Sequence, residues 1–180
     1  MKKQAIALFL ILLLILTGAV AFRSFLKTLY PHKYTDSVEK YSAQYDVDED
    51  LIYAVMRTES SFRTDAGSDA GAVGLMQIMP ETFDWLCMRM GEQASFDDLY
   101  DPDTAVRFGT YLLHLLLEEF GDTRTALAAY HAGRGQVGRW LRDASVSPDG
   151  KTLAHIPFRD TAHYVQKVDR AMQLYKKIYG

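Results

Sequence analysis

Along residues 51–59, LIYAVMRTE, the apolar stripe steps from Leu51 and Ile52 to Val55 and Met56, and its next step is Glu59. A carboxylate three and four residues after Met56 and Val55 shares their face of a helix, on the core side. Burial disfavours the charged form, so a carboxyl held there keeps its proton to higher pH than a free one. A carboxyl still protonated near neutral pH is what a general acid needs. Periodicity alone leaves a second reading open, in which the helix ends by Ser60 and Glu59 turns into solvent.

The residues that follow point to a polymer-binding cleft. Residues 66–74, AGSDAGAVG, hold three glycines and three alanines, a composition for backbone that must approach something closely. Apolar Leu75, Met76 and Ile78 then bracket Gln77, whose amide can both donate and accept. Small residues, an amide and a neighbouring acid can line a groove for a polar, neutral chain such as a glycan. Eleven tyrosines suit surfaces that stack on and hydrogen-bond to such ligands.

The elements that must position these groups read as helices throughout. Asp36 with Glu39 three residues later reads as a capping box, with Tyr34, Val38, Tyr41 and Tyr45 on one face. Asp48 caps the helix that carries Glu59. Pro80 opens a third helix, which Gly91 closes, and Asp101-Pro102 opens the longest, which stops at Gly121. Shorter helices are expected at about 123–131 and 136–142, then a turn at SVSPDGK and a last helix from about Asp160 to Ile178. No segment sustains period-2 alternation. The fold class is all-α, a compact domain of about seven helices behind an N-terminal hydrophobic helix.

That first segment is of a different kind. Lys2 and Lys3 precede a charge-free, Leu- and Ile-rich run from Ala5 to Phe22, closed by Arg23. A positive start and a run of this length engage the secretion machinery. Its length suits an uncleaved membrane anchor, whereas Ala19-Val20-Ala21 also fits a cleavage site, with secretion as the outcome. Either way the body is expected outside the cytoplasmic membrane. The expected organisation is 1–22 anchor or signal peptide, 23–33 linker and 34–180 catalytic domain.

Residues 59–82, ESSFRTDAGSDAGAVGLMQIMPET, resemble the motif of the soluble-lytic-transglycosylase type of peptidoglycan lytic transglycosylase, which shares the goose-type lysozyme fold. DPDTAVRFGTYLLHLLLEEFGDTRTALAAYHAGRGQV is similar to that family's N-P-x-x-N-I-x-x-G-x-x-Y-L helix and A-x-A-Y-N-A-G segment. IPFRDTAHYVQKV resembles its I-P-x-x-E-T-x-x-Y-V segment. These ordered blocks cover about residues 36–178.

The resemblance implies that Glu59 is the single catalytic acid and base. It would protonate the oxygen between N-acetylmuramic acid and N-acetylglucosamine, then accept the proton of the muramic acid 6-hydroxyl as that oxygen attacks C1. The product is a 1,6-anhydro end. The substrate's own 2-acetamido group takes the part that a second carboxylate has in other glycosidases, without metal or cofactor. Ser68 matches a loop serine that orients substrate and the catalytic carboxyl, and Gln77 and Met79 match groove positions that contact glycan. Tyr130 matches a tyrosine beside the acid, and Tyr164 another cleft aromatic. Two positions depart from the pattern: His131 stands for the usual Asn, and Asp160 for the usual Glu. A hydrolysing muramidase of the same fold, or a non-catalytic glycan-binding module of the cell wall, are the competing functions.

Other chemistries find little support. The net charge is −3 and no basic stripe appears, which argues against nucleic acid as a partner. Asp46-x-Asp48-x-Asp50 begins like a calcium loop, but its sixth position is Leu51 and its twelfth Arg57. His114, His131, His155 and His163 show no metal-site spacing. Cys87, the single cysteine, allows no internal disulfide and shares a helix face with Phe83, Leu86 and Met90.

Overall fold

The computed structural model describes residues 2–180, with the side chains of 2, 3, 5, 7 and 8 excepted, so the Lys2 and Lys3 charges lie outside the described side chains. Helix α1 spans Lys2–Leu29, with the described apolar side chains of its first twenty-two residues exposed and its last turns touching the C-terminal helix. Seven further α-helices form the body: α2 Thr35–Tyr45, α3 Glu49–Glu59, α4 Pro80–Met90, α5 Pro102–Phe120, α6 Thr123–Ala132, α7 Arg134–Leu141 and α8 Arg159–Tyr179. A 3₁₀ turn at Phe96–Tyr100 precedes α5. Among the described residues there is no strand, only isolated bridges that pair Val73 with Gly67 and Ile78. The all-α expectation and its helix count hold.

Local chemistry explains most boundaries. The Asp48 carboxylate accepts from the Asp50 amide at the start of α3, and Asp101 and Asp122 do the same for Thr104 and Thr125 at α5 and α6. Gly91 and Gly121 close α4 and α5 in the left-handed conformation, which costs glycine no Cβ clash. The capping box expected at Asp36 is absent. Helix α2 starts two residues earlier, because Tyr34 itself adopts the left-handed region (φ 60°) as N-cap with its hydroxyl towards the Phe62 carbonyl, and no side chain caps the helix. The segment 23–33 was expected to be a linker, but it is helical to Leu29, since nothing before Pro31 interrupts the backbone pattern.

Helix α5 runs through the core, burying Val106, Phe108, Leu112, Leu113 and Leu116. Helix α2 is tied to it where Tyr41 and Ser37 both donate to the Asp103 carboxylate at 2.7 Å. Helices α3 and α8 pack along each other, and α3 is buried on nearly every side from Leu51 to Met56. Phe83 and Leu86 of α4 are buried, whereas Cys87 beside them is only partly so.

Two glycines let the chain after α3 fold back onto this core. Gly74 has φ +75°, and a Cβ there would meet the Leu99 carbonyl oxygen; a Cβ on Gly109 of α5 would stand 2.5 Å from Cγ of Met76. Met76 is fully buried, so it has no room to move away. Gly109→Ala is therefore expected to destabilise the fold by about 1–3 kcal/mol, despite alanine's better helix propensity. Equilibrium urea unfolding measures this; an unchanged or raised midpoint would refute the packing assignment.

Candidate active site

Glu59 is the last residue of α3, and the chain turns sharply after it. The Ser60 hydroxyl donates back to the Met56 carbonyl, and Ser61 and Phe62 both take positive φ, 52° and 63°. A left-handed phenylalanine is strained, and here the ring is buried, 4% exposed, so packing holds the strained turn in place. The turn stops the helix while its acid still faces the body. Of the two sequence readings, the core-side one holds.

Two tyrosines meet Glu59. Tyr164 of α8 and Tyr130 of α6 are both close enough for its charge to push their phenols further up, beyond the large effect of burial. Tyr130 donates to the Met76 carbonyl at 2.7 Å, which ties the tyrosine to the loop. The Tyr164 hydroxyl lies beside the carboxyl without a hydrogen bond of good geometry to any group. It is buried and unpartnered, a state that usually marks a waiting partner. Burial raises the Glu59 carboxyl to about 7, against smaller opposing effects of the Tyr164 hydroxyl and the Lys167 ammonium. Among the described residues no second carboxylate contributes to its environment.

The loop from Ser60 to Met79 is built by its own polar groups. The Ser68 hydroxyl accepts from the Ala72 amide at 3.0 Å, and the Ser68 amide donates to the Ala72 carbonyl. Gln77, with φ 46°, turns its amide inward and donates to the carbonyls of Ala66 and Gly74 at 3.1 and 3.0 Å. The Gln77 NH₂ is thus committed to the loop, and its carbonyl oxygen is what it can offer a ligand. Met79 sits half-buried at the start of α4. The structure therefore groups Glu59, Tyr130 and Tyr164 in one cluster, and gives Ser68 and Gln77 to the loop beside it.

His131, at one of the departures, is held by Thr161 (Nδ1 to Oγ1 3.1 Å) and packs on the Tyr164 ring with centroids 4.6 Å apart. Burial pulls its imidazole down, against the opposing charge of Asp160. A depression of about 560 Å³ opens beside it, lined by Ala132, Pro157, Phe158, Asp160 and Thr161. Lys167 is the residue that sequence reasoning missed. Its spacing of three from Tyr164 on one helix was the available sign that both reach Glu59. Among the described residues no group of three His, Cys, Asp or Glu side chains could hold a metal ion.

Comparison with known proteins is consistent with this arrangement. Residues 36–152 match the transglycosylase SLT domain family. The soluble lytic murein transglycosylase of Escherichia coli is 33% identical over 147 residues, covering 79% of this chain and 23% of the relative. The membrane-bound lytic murein transglycosylase C of Actinobacillus succinogenes is 35% identical, covering 81% and 47%. An inactive glutamate-to-glutamine mutant of the lytic transglycosylase Slt from Pseudomonas aeruginosa superposes with a TM-score of 0.70 at 32% identity, over 83% of this chain and 25% of that one. The chain thus spans about a quarter of the length of the soluble relatives and about half of the membrane-bound one. With the family's domain matched over most of the body and its helical fold reproduced, the chain belongs to the SLT transglycosylase family.

Proposed function

We propose that this chain is a peptidoglycan lytic transglycosylase, cleaving between N-acetylmuramic acid and N-acetylglucosamine with Glu59 as its single acid and base. The observation that carries the reading is a lone, enclosed carboxyl held to about 7, beside two buried tyrosines and no second acid. In the first step Glu59, protonated, gives its proton to the glycosidic oxygen as the C1–O bond breaks. In the second, the Glu59 carboxylate takes the proton of the muramic acid 6-hydroxyl as that oxygen bonds to C1. A 1,6-anhydro end forms and Glu59 is protonated again, so no water is consumed.

The surrounding groups have distinct parts in this scheme. The unpaired Tyr164 hydroxyl donates to the Glu59 carboxylate or to substrate oxygen once the sugar closes the site. Tyr130 keeps the loop against the acid through Met76, Gln77 and Ser68 stiffen the groove wall, and Met79 presents an apolar edge to a sugar face. The inactive glutamine mutant of the Pseudomonas relative supports a glutamate as the essential group. Helix α1 includes a 21-residue stretch, Phe9–Leu29, long and apolar enough to cross a membrane, and one relative is named membrane-bound. We read residues 1–22 as the anchor and 34–180 as an extracytoplasmic catalytic domain, with glycan strands as partner.

Glu59→Gln keeps the shape but has no proton to give, and is expected to lower cleavage of purified sacculi by about 10²–10⁴-fold. Unchanged activity would overturn the assignment. Mass spectrometry of wild-type products separates the chemistries, because a hydrolase yields ends about 18 daltons heavier, one water, than anhydro ends.

The rate should fall about tenfold per pH unit above roughly pH 7, as the acid form of Glu59 is lost. Stability follows the same group. The folded state holds this proton more tightly than the unfolded chain, so its contribution is complete below about 4.5 and disappears as pH rises through about 7. Glu59→Gln should therefore match the wild type in stability near pH 4 and exceed it above pH 7, by on the order of 2–3 kcal/mol. Thermal unfolding across pH checks this; parallel curves would refute the buried acid.

Tyr164→Phe removes the hydroxyl that opposes burial at Glu59, so the acid should keep its proton to higher pH while kcat on sacculi falls by roughly tenfold. A variant with an unshifted alkaline limb and equal activity would contradict both halves.

A further inference from the structure

A second polar depression, of about 380 Å³, opens between the end of α3 and the middle of α8, and Lys167, the cation that acts on Glu59, lines it. Arg57 and Thr58 line it from α3, Ser61 from the turn after it, and His163, Lys167 and Arg170 from α8. No carboxylate lines it, and among the described residues Arg57, Lys167 and Arg170 form no ion pair. The Thr58 hydroxyl oxygen is buried without a hydrogen-bond partner. Two guanidinium groups and an ammonium on one depression without an acid form a receptor for a multiply acceptor-bearing anion, and phosphate fits that donor set.

The pocket's position says where such a group comes from. Its remaining wall includes Tyr30, the first residue beyond α1, and the Arg57 guanidinium lies 3.9 Å over the Tyr30 ring. With the apolar run ending at Phe22, Tyr30 stands about 12 Å further along the helix axis, at the outer edge of the headgroup layer. That level is fixed to the body. Arg23 donates to the Ile178 carbonyl at 2.7 Å, Tyr179 donates to the Tyr30 carbonyl at 2.8 Å, and the Lys27 ammonium lies over the Tyr179 ring. His32 stacks between Tyr53 and Tyr179 at 4.1 and 3.5 Å, which closes the joint.

We propose that this pocket binds the phosphate of an anionic phospholipid headgroup, and so pins the body to the outer membrane surface at one height. The proposal rests on the membrane-anchor reading of α1. With the headgroup bound, the cleft at Glu59 faces strands lying just above the membrane. The bound charge also offsets Lys167, the cation acting on Glu59, so the acid keeps its proton to higher pH on an anionic membrane.

The test uses the full chain in nanodiscs of phosphatidylcholine, with or without phosphatidylglycerol, followed by hydrogen exchange over residues 57–61 and 163–170. Phosphatidylglycerol is expected to slow exchange there about five-fold, and to move the alkaline limb of sacculus cleavage upward. Arg170→Glu, an exposed change, should abolish both effects while Arg170→Lys keeps part of them. Equal exchange in the two kinds of disc would overturn the proposal. Equal protection by inorganic phosphate added to phosphatidylcholine discs would overturn the lipid assignment in favour of a free ion. Failure of the chain to enter nanodiscs at all would overturn the anchor reading instead, and loss of cleavage in every condition would count against the proposed enzyme.

Discussion

A carboxyl group keeps its proton near neutral pH only where water cannot solvate its charge and no strong donor replaces that water. The packing of α3 against α8 meets both conditions at Glu59. The Tyr164 hydroxyl that closes over the acid and the Lys167 ammonium act against burial, and burial outweighs both. Other parts of the body follow from keeping this helix end dry and in place. Ser60 bonds back to the last turn, Phe62 accepts a strained backbone to plug the core, and Tyr34 is drawn into a left-handed start to α2 beside it. The strain sits next to the acid, where a shift of the carboxyl by an ångström would matter most.

The loop beyond the turn lies at the surface yet must hold its shape. Its rigidity comes from beneath and within. Leu75, Met76 and Ile78 are buried into the core while Gln77 between them turns its amide onto Ala66 and Gly74. The side chain that looked best suited to meet a sugar is first a staple. Met76 does two jobs, filling the notch at Gly109 with its side chain and accepting from Tyr130 with its carbonyl. Packing in α5 is thereby coupled to the position of a tyrosine beside the acid.

Helix ends were legible in the sequence where one side chain decides them, as at Asp48, Asp101, Gly91 and Gly121. The start of α2 was not, because Tyr34 is placed by a contact with Phe62, 28 residues away, which outweighs the local pair Asp36 and Glu39. The same limit applies to the site. Period marked Glu59, and the family resemblance marked Tyr130 and Tyr164, since these lie on helices with clear faces. Lys167 escaped notice because an exposed lysine on α8 looks like any other until α3 is laid beside it. The inward turn of Gln77 was equally hidden, as it needs a positive φ that glutamine rarely adopts.

Helix α8 joins the two ends of the molecule. Its first half brings Tyr164 and Lys167 to Glu59, and its last turns carry Tyr175 and Tyr179, whose hydroxyls meet the Pro31 and Tyr30 carbonyls at 3.3 and 2.8 Å. A straight helix transmits position along its axis, so the joint at the top of α1 and the acid at the end of α3 share one rigid strut. A body joined to α1 by a flexible linker would sample many orientations relative to that helix. Continuation of α1 to Leu29 and the stacked His32 remove that freedom. The segment that reads as a spacer in the sequence therefore acts as a joint, and the orientation of the cleft relative to α1 is set by the same packing that dries the acid.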